Sequence, residues 1–483
     1  MAKLSVVTTS VSPFNNLMLQ RNREWLAILL ISLLPLHALF VTFFTKLVSG
    51  AGNAPLPVLA LWKEVLLVSI LAIAFAEVWN SEEKERTELL KPDRLDTCIV
   101  FLLVLSLVIT ALTHGNWKMY LFGFKYDFIP LIAFIVLRRV SWSEWCSVTL
   151  VKVVLGVGGI VAFYGLVTLL LPMQFFQALG YSDLHSLYLP GGPLAAFQQI
   201  GDSGVRRIQS TFSGPNQFGL WLLLPWSFGI VAFFSAWFRA EFPLLRFGTQ
   251  RTRSQQCTYS LLYLALIGGA LLFTFSRTAW LAAIAVTAVF ILKTLPERRA
   301  TKNLVRLLGV GGMIIILLAI SAPSTVVRLA SSRDHLLKPL AAIGSIASHP
   351  LGQGIGTAGP ASNRFSDACV FLAPESDPAW AADRQELCVF VGGEQVQPLE
   401  RTCNCPFVTE NWYLQMGVEM GVLGLIVYVA FTVLVLMNLA ATSAIFLPFL
   451  GISVAGLLLH SWEGSAVAYT LWLLVATSLP VRK

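Results

Sequence analysis

Apolar stretches long enough to cross a bilayer recur along almost the whole of this 483-residue chain. They fall near 25–45, 56–79, 97–113, 119–137, 147–171, 217–238, 258–275, 278–293, 307–322, 411–437, 443–458 and 464–480. Inside hydrocarbon every backbone N–H and C=O must be bonded within the protein, which leaves helices and closed barrels. Runs this long, with no polar residue at every second position, predict helices at about 20 apolar residues per crossing. The expected fold is an all-α polytopic integral membrane protein of about 12 transmembrane helices. No cleavable signal peptide is expected, because the N-terminal residues are polar and the first apolar run is long enough to span.

Composition agrees: 56% of residues are hydrophobic and 12% charged, and mean hydropathy is +0.72. A soluble domain carries about 25% charged residues. The net charge of +8 does not point to nucleic acid, because the basic residues are dispersed in short loops and not gathered in a patch with aromatics.

Those loops set orientation, since cytoplasmic loops carry the excess of Lys and Arg. One alternate set holds Lys3, Arg21, Arg23, Lys84, Arg86, Lys91, Arg94, Arg138 and Arg139. It continues with Arg239, Arg246, Arg251, Arg253, Lys293, Arg298, Arg299, Lys302, Arg306, Arg482 and Lys483. The short loops of the other set hold little beyond Lys46, Lys118 and Arg277. Both termini are therefore expected in the cytoplasm, and the long loops 172–216 and 323–410 on the trans side. The organisation expected is a bundle over 1–322 (spans one to nine), an external loop over 323–410 and a second bundle over 411–483 (spans ten to twelve).

Cys369, Cys388, Cys403 and Cys405 all fall in the second long loop. Four cysteines on an oxidising face read as two disulfides. A Cys403–Cys405 bridge would close a very tight ring, so each is expected to pair with Cys369 or Cys388. The alternative, a zinc site, fits poorly, because C-x-C without a nearby histidine is not the usual ligand spacing.

Charges at the ends of spans or inside them are costly and mark function by default. Lys63 and Glu64 lie in the second run, and Lys125 and Asp127 just before Pro130 in the fourth. They predict a polar, cationic trans-side cavity; the structural alternative is that each pair neutralises itself. Arg206 and Arg207 stand in a trans loop ahead of the Gly214-Pro215-Asn216 turn, and Arg277 in a short trans turn. A guanidinium presents a planar fork of donors that matches phosphate. Its bland alternative is snorkelling to lipid headgroups.

Leu336, Leu337, Leu340, Ile343 and Ile346 recur at helical spacing and predict an amphipathic helix along the membrane face. Gly352, Gly354 and Gly356 follow it without a preceding strand or a Gly-Lys-Ser, so a tight loop is expected and not a nucleotide-phosphate site. His335 and His349 are acid–base candidates.

At the seam between this loop and the next apolar run stands Glu410-Asn411-Trp412-Tyr413, with Gly421 and Gly424 two turns further on. A carboxylate there is a candidate general base, or else caps the helix. The two glycines predict close approach of another backbone.

Four stretches, in this order, carry a resemblance. They are Arg207 to Asn216, Ser276-Arg277, His349-Pro350-Leu351-Gly352-x-Gly354-x-Gly356, and Asn411-x-Tyr413-Leu414 leading to Gly421-x-x-Gly424. With the topology, the chain from about residue 56 resembles the O-antigen polymerase/ligase family of bacterial polysaccharide assembly. The resemblance implies a multi-pass glycosyltransferase of the bacterial inner membrane, inverting and independent of metal or other cofactor. Its donor would be an undecaprenyl-pyrophosphate-linked glycan and its acceptor a second glycan. A chain-length regulator or another polysaccharide-assembly protein is the expected partner. Glu410, Arg207 and Arg277 become the expected catalytic residues, and Arg206, Asn216, Lys63, Lys125, Asp127, His335, Asn411 and Tyr413 the expected substrate-binding ones. Ligases of the family usually carry His-Asn where this chain has Glu410-Asn411, so a polymerase is favoured over transfer to lipid A-core or protein. A transporter or flippase of lipid-linked saccharide is the competing class, since many spans and buried charges suit it too.

Overall fold

A computed structural model describes residues 13–113, 115–183, 192–200, 205–238, 253–321, 329–372, 374–440 and 444–481. Of the basic residues that set orientation, Lys3, Arg239, Arg246, Arg251, Arg482 and Lys483 lie outside these, as do positions 323–328 of the second long loop.

The structure is 69% helix, and each of the twelve apolar runs carries helix. Among the described residues, eight helices are long and apolar enough to cross a membrane. The pair Trp117–Asp127 and Ile129–Leu137 adds a ninth if taken as one span, bent by 46°. The bend falls just ahead of Pro130, which has no N–H to continue a helix and restricts the residue before it. Phe446–Ala455 and Ser465–Ser478 have 10 and 14 residues. At about 1.5 Å per residue each is too short for a hydrocarbon core about 30 Å thick.

Large apolar side chains stay exposed along the outside of the bundle, among them Val65 (62%), Phe75 (62%) and Ile160 (66%). A soluble protein does not leave so much apolar surface in water. The protein is membrane-embedded. Inside, Trp221, Phe128, Phe134, Phe218 and Phe431 are fully buried in one continuous core.

Several buried cations are paired across helices: Arg23 with Glu77 (2.8 Å), Arg138 with Asp93 and Arg139 with Asp96 (2.9 Å). Val481 donates to the carbonyl of Arg138 (2.9 Å).

The long loops are not purely helical, which corrects the all-α expectation. Gln198–Gln199 pairs antiparallel with Arg206–Arg207. Ala368–Leu372, Leu387–Val391 and Glu394–Gln397 form a small sheet in the order of the chain. Alternating Val, Phe and Cys in the first two strands bury one side, including Val370, Leu387 and Val389. Cys369 and Cys388 sit opposite each other in parallel register, and each reaches a different cysteine of the C-x-C. The bridges are Cys369–Cys405 and Cys388–Cys403.

The glycine-rich loop has a specific role. The Trp412–Ala440 helix is interrupted at Gly421, whose φ of 71° and ψ of −173° only glycine adopts readily. That break leaves backbone groups without helical partners. The loop supplies them: Gln353 N donates to Val418 O (2.9 Å), Gly354 N to Glu419 O (3.0 Å), and Pro350 O accepts from Val422 N (3.0 Å). Gly352 has a φ of 94°, and a Cβ on it would meet Glu419 O at 2.5 Å. The backbone whose close approach the sequence predicts at Gly421 is thus that of this loop. The atoms nearest to a Cβ built on Gly424 are those of Met420 and Met416 in its own helix.

Candidate functional site

Arg207 is 8% exposed and fixed through all three nitrogens of its fork. Nε donates to Thr274 O (2.9 Å), Nη1 to Gln198 Oε1 (3.3 Å) and Nη2 to Asn216 Oδ1 (2.7 Å). The two-stranded hairpin and the start of the Pro215–Phe238 helix, close in sequence, meet here the distant turn before Arg277–Thr294. Ile208 N donates to Phe273 O (3.0 Å) and locks the strand to that turn. Phe275 takes a φ of 48° in the turn, and Arg277 opens the following helix. A cation at the positive end of a helix is disfavoured unless an anion joins it. Arg206 faces away from Arg207, as neighbours on a strand do, and lies over the Phe197 ring at 4.8 Å.

A second centre lies beside Pro130. Lys63 Nζ and Lys125 Nζ reach the same oxygen, Glu64 Oε1, at 2.9 and 2.7 Å. Lys125 therefore pairs across helices with Glu64, and Asp127 turns inward towards Glu419. Lys63, Glu64 and Lys125 wall a narrow cleft, roomy enough for about one water, that Tyr126, Trp462, Glu463 and Tyr469 also line.

Glu410 forms the third centre. Its φ is 53°, and its carboxylate meets Lys338 Nζ (3.1 Å) and His335 Nδ1 (3.5 Å). Both partners sit one turn apart on the Leu329–Ser348 helix, the amphipathic helix legible in the leucine spacing. Glu410 is not the cap of the next helix: Asn411 Oδ1 accepts from Leu414 N (2.9 Å) and fills that role. Asn411 Nδ2 also donates to Leu457 O (2.8 Å), and Tyr413 OH to Ser453 O (2.9 Å). These bonds tie Asn411 and Tyr413 to the neighbouring Phe446–Ala455 helix and the loop after it. His460 of that loop faces the same centre. Burial, with Lys338 and His335 adding to it against the pull of Glu410, lowers its pKa to about 4. His349 lies apart, bonded to Ser348 and Gln353 at the exposed end of its helix.

The loop 456–464 links the second and third centres: His460 faces Glu410, and Trp462 and Glu463 line the cleft. Trp462 is held by Phe449 and Trp472, with ring centroids 5.2 Å away in each case. The arginine centre is built from other elements. Thr211 Oγ1 connects it towards the cleft by donating to Pro35 O (2.6 Å), two residues before His37, whose ring meets Trp62 at 5.7 Å.

Three buried polar residues escaped the sequence reading. Glu419 and Gln415 are 0% exposed and Glu463 is 8% exposed. A lone glutamate among the apolar residues of Met416–Gly424 was itself a signal, since an ionisable group inside a span is functional by default.

No protein-family model matches the chain, and neither a curated protein nor a solved structure matches it.

Proposed function

We propose that the protein is a membrane glycosyltransferase that extends undecaprenyl-pyrophosphate-linked glycans on the trans face of the bacterial inner membrane, as an O-antigen or exopolysaccharide polymerase does. About twelve spans with both termini cytoplasmic, as the charge asymmetry favours, would put all three polar centres on that face. One observation carries the reading: the Arg207 fork is seated on Thr274, in the turn that launches Arg277.

In the transfer, the acceptor hydroxyl attacks the anomeric carbon, the carbon–oxygen bond to the carrier pyrophosphate breaks, and its electron pair leaves with the phosphate oxygen. Negative charge grows on that oxygen, where fixed guanidiniums act most strongly. Arg207 and Arg277 supply that charge, and Asn216 and Gln198 hold Arg207 in place. Glu410 takes the proton of the acceptor hydroxyl, with His335 and Lys338 orienting its carboxylate.

Transport is the second reading. The buried acids Glu419, Glu463 and Asp127 favour it, because such groups also serve coupled carriers. Purified protein in lipid, given an undecaprenyl-pyrophosphate-linked glycan, separates the two. Longer glycan with release of carrier pyrophosphate supports the enzyme. Passage of unchanged lipid-linked glycan across a liposome supports the carrier.

A further inference from the structure

Three buried carboxyl groups in the interior come from three different elements. Asp127 ends the Trp117–Asp127 helix, Glu419 precedes the Gly421 break, and Glu463 lies in the loop 456–464. The Glu419 carboxyl lies within electrostatic reach of those of both Asp127 and Glu463. Apart from the contact between Asp127 and Glu419 themselves, no donor of the described residues reaches either oxygen of Asp127, Oε2 of Glu419 or Oε2 of Glu463. What is satisfied is satisfied by neutral groups: Glu419 Oε1 accepts from Gly356 N (2.9 Å) and Ala358 N (3.3 Å), and Glu463 Oε1 from Gln415 Nε2 (2.5 Å). Gln415 is itself 0% exposed, reaches into the cluster and has an unpartnered Oε1.

Adjacent carboxylates without water or a cation repel strongly in a low-dielectric interior, and the repulsion is relieved when they share positive charge. A metal ion needs its ligand atoms gathered around one point. The three carboxyls do not converge on one point; among the described residues the one group that does is Asp367 with Cys388 and Cys403, and those sulfurs form a disulfide. A proton needs only two facing oxygens. Glu463 gives the path out, because it lines the Lys63–Glu64–Lys125 cleft and lies within electrostatic reach of the buried pair.

We propose that Asp127, Glu419 and Glu463 form an internal proton-binding site, in which Asp127 and Glu419 share a proton that enters and leaves the cleft through Glu463. The other titratable and charged groups around it are Tyr428 and Tyr413 on the Trp412–Ala440 helix, Lys63 and Glu64, and Lys125 and Tyr126 beside Asp127. The site requires no glycan, so it stands or falls separately from the transfer reaction.

Infrared difference spectroscopy of the full chain in lipid nanodiscs tests it, stepping pH upward in H₂O and in D₂O. The expected spectrum keeps a protonated-carboxyl C=O band at about pH 7, where ordinary carboxyls are ionised. That band shifts in D₂O and is lost in Asp127→Asn and in Glu419→Gln. In Glu463→Gln the band remains but exchanges with deuterium more slowly than in the wild type. A wild-type spectrum without the band at that pH overturns the proposal, whether or not any variant folds. Survival of the band in both Asp127→Asn and Glu419→Gln, or unchanged exchange in Glu463→Gln, also overturns it.

Discussion

Arg207 donates through Nε to the carbonyl oxygen of Thr274, 2.9 Å away, three residues before Arg277. Two arginines separated by some seventy positions are thereby set at one end of the bundle by a single turn. Arg207→Lys keeps the charge and loses the fork, since a lysine ammonium cannot satisfy Thr274, Gln198 and Asn216 in one plane. The expected outcome is a protein that folds and inserts, with transfer reduced by about 10²-fold or more. Transfer rates beside those of Asn216→Ala, which removes only one of the three acceptors, check this; the milder loss belongs to Asn216→Ala.

Glu410→Gln separates a base from a structural anchor. The Asn411 side chain caps the following helix, so the amide at 410 should leave the thermal unfolding temperature nearly unchanged. General-base catalysis contributes about 10²–10⁴-fold. Single-turnover transfer at saturating donor should fall by that order. Glu410→His should recover part of it, because imidazole accepts a proton from the same place.

The contact between the glycine loop and the helix break is a stability prediction. Gly421→Ala places a side chain at a φ of 71° and against the Pro350 carbonyl. Such backbone conformations cost about 1–3 kcal/mol in a residue other than glycine. Gly352→Ala acts on the other side of the same contact, meeting Glu419 O and Gly421 N. Each variant should unfold earlier in a thermal or denaturant scan. The double variant should lose less than the sum, because residues in one contact are not independent.

Both disulfides anchor the three-stranded sheet, with Cys369 and Cys388 on adjacent strands. Each bridge should contribute about 2–4 kcal/mol to the local stability of that sheet. Reduction, or Cys388→Ser with Cys403→Ser, should expose residues 368–405 to protease while the membrane bundle stays intact. Limited proteolysis with and without reductant reads this directly.

The helices and the amphipathic segment were legible because hydrophobic length and period are local properties: Leu336, Leu340 and Ile343 suffice to mark the Leu329–Ser348 helix. Arg207, Asn216 and Arg277 could be named from their unusual places in loops expected on the trans side, but not the bond of Arg207 to Thr274, which depends on long-range pairing. Other partners were hidden for the same reason. Lys125 has Asp127 two residues away and yet pairs with Glu64. Gly421 signalled a close backbone approach but not the helix break, because a break within an apolar run leaves no signal until the loop that fills it is known. The strands of the second long loop were missed, since runs of 4 to 5 residues carry too little periodicity to stand out beside cysteines and turns.

The most direct measurement is single-turnover glycan transfer by the purified wild-type protein in lipid, with labelled undecaprenyl-pyrophosphate-linked glycan as both donor and acceptor. The account predicts a product lengthened by one donor unit for each carrier pyrophosphate released, and loss of both in Arg207→Lys. Movement of the lipid-linked glycan between leaflets without a new glycosidic bond, or transfer at the wild-type rate by Arg207→Lys, would contradict it.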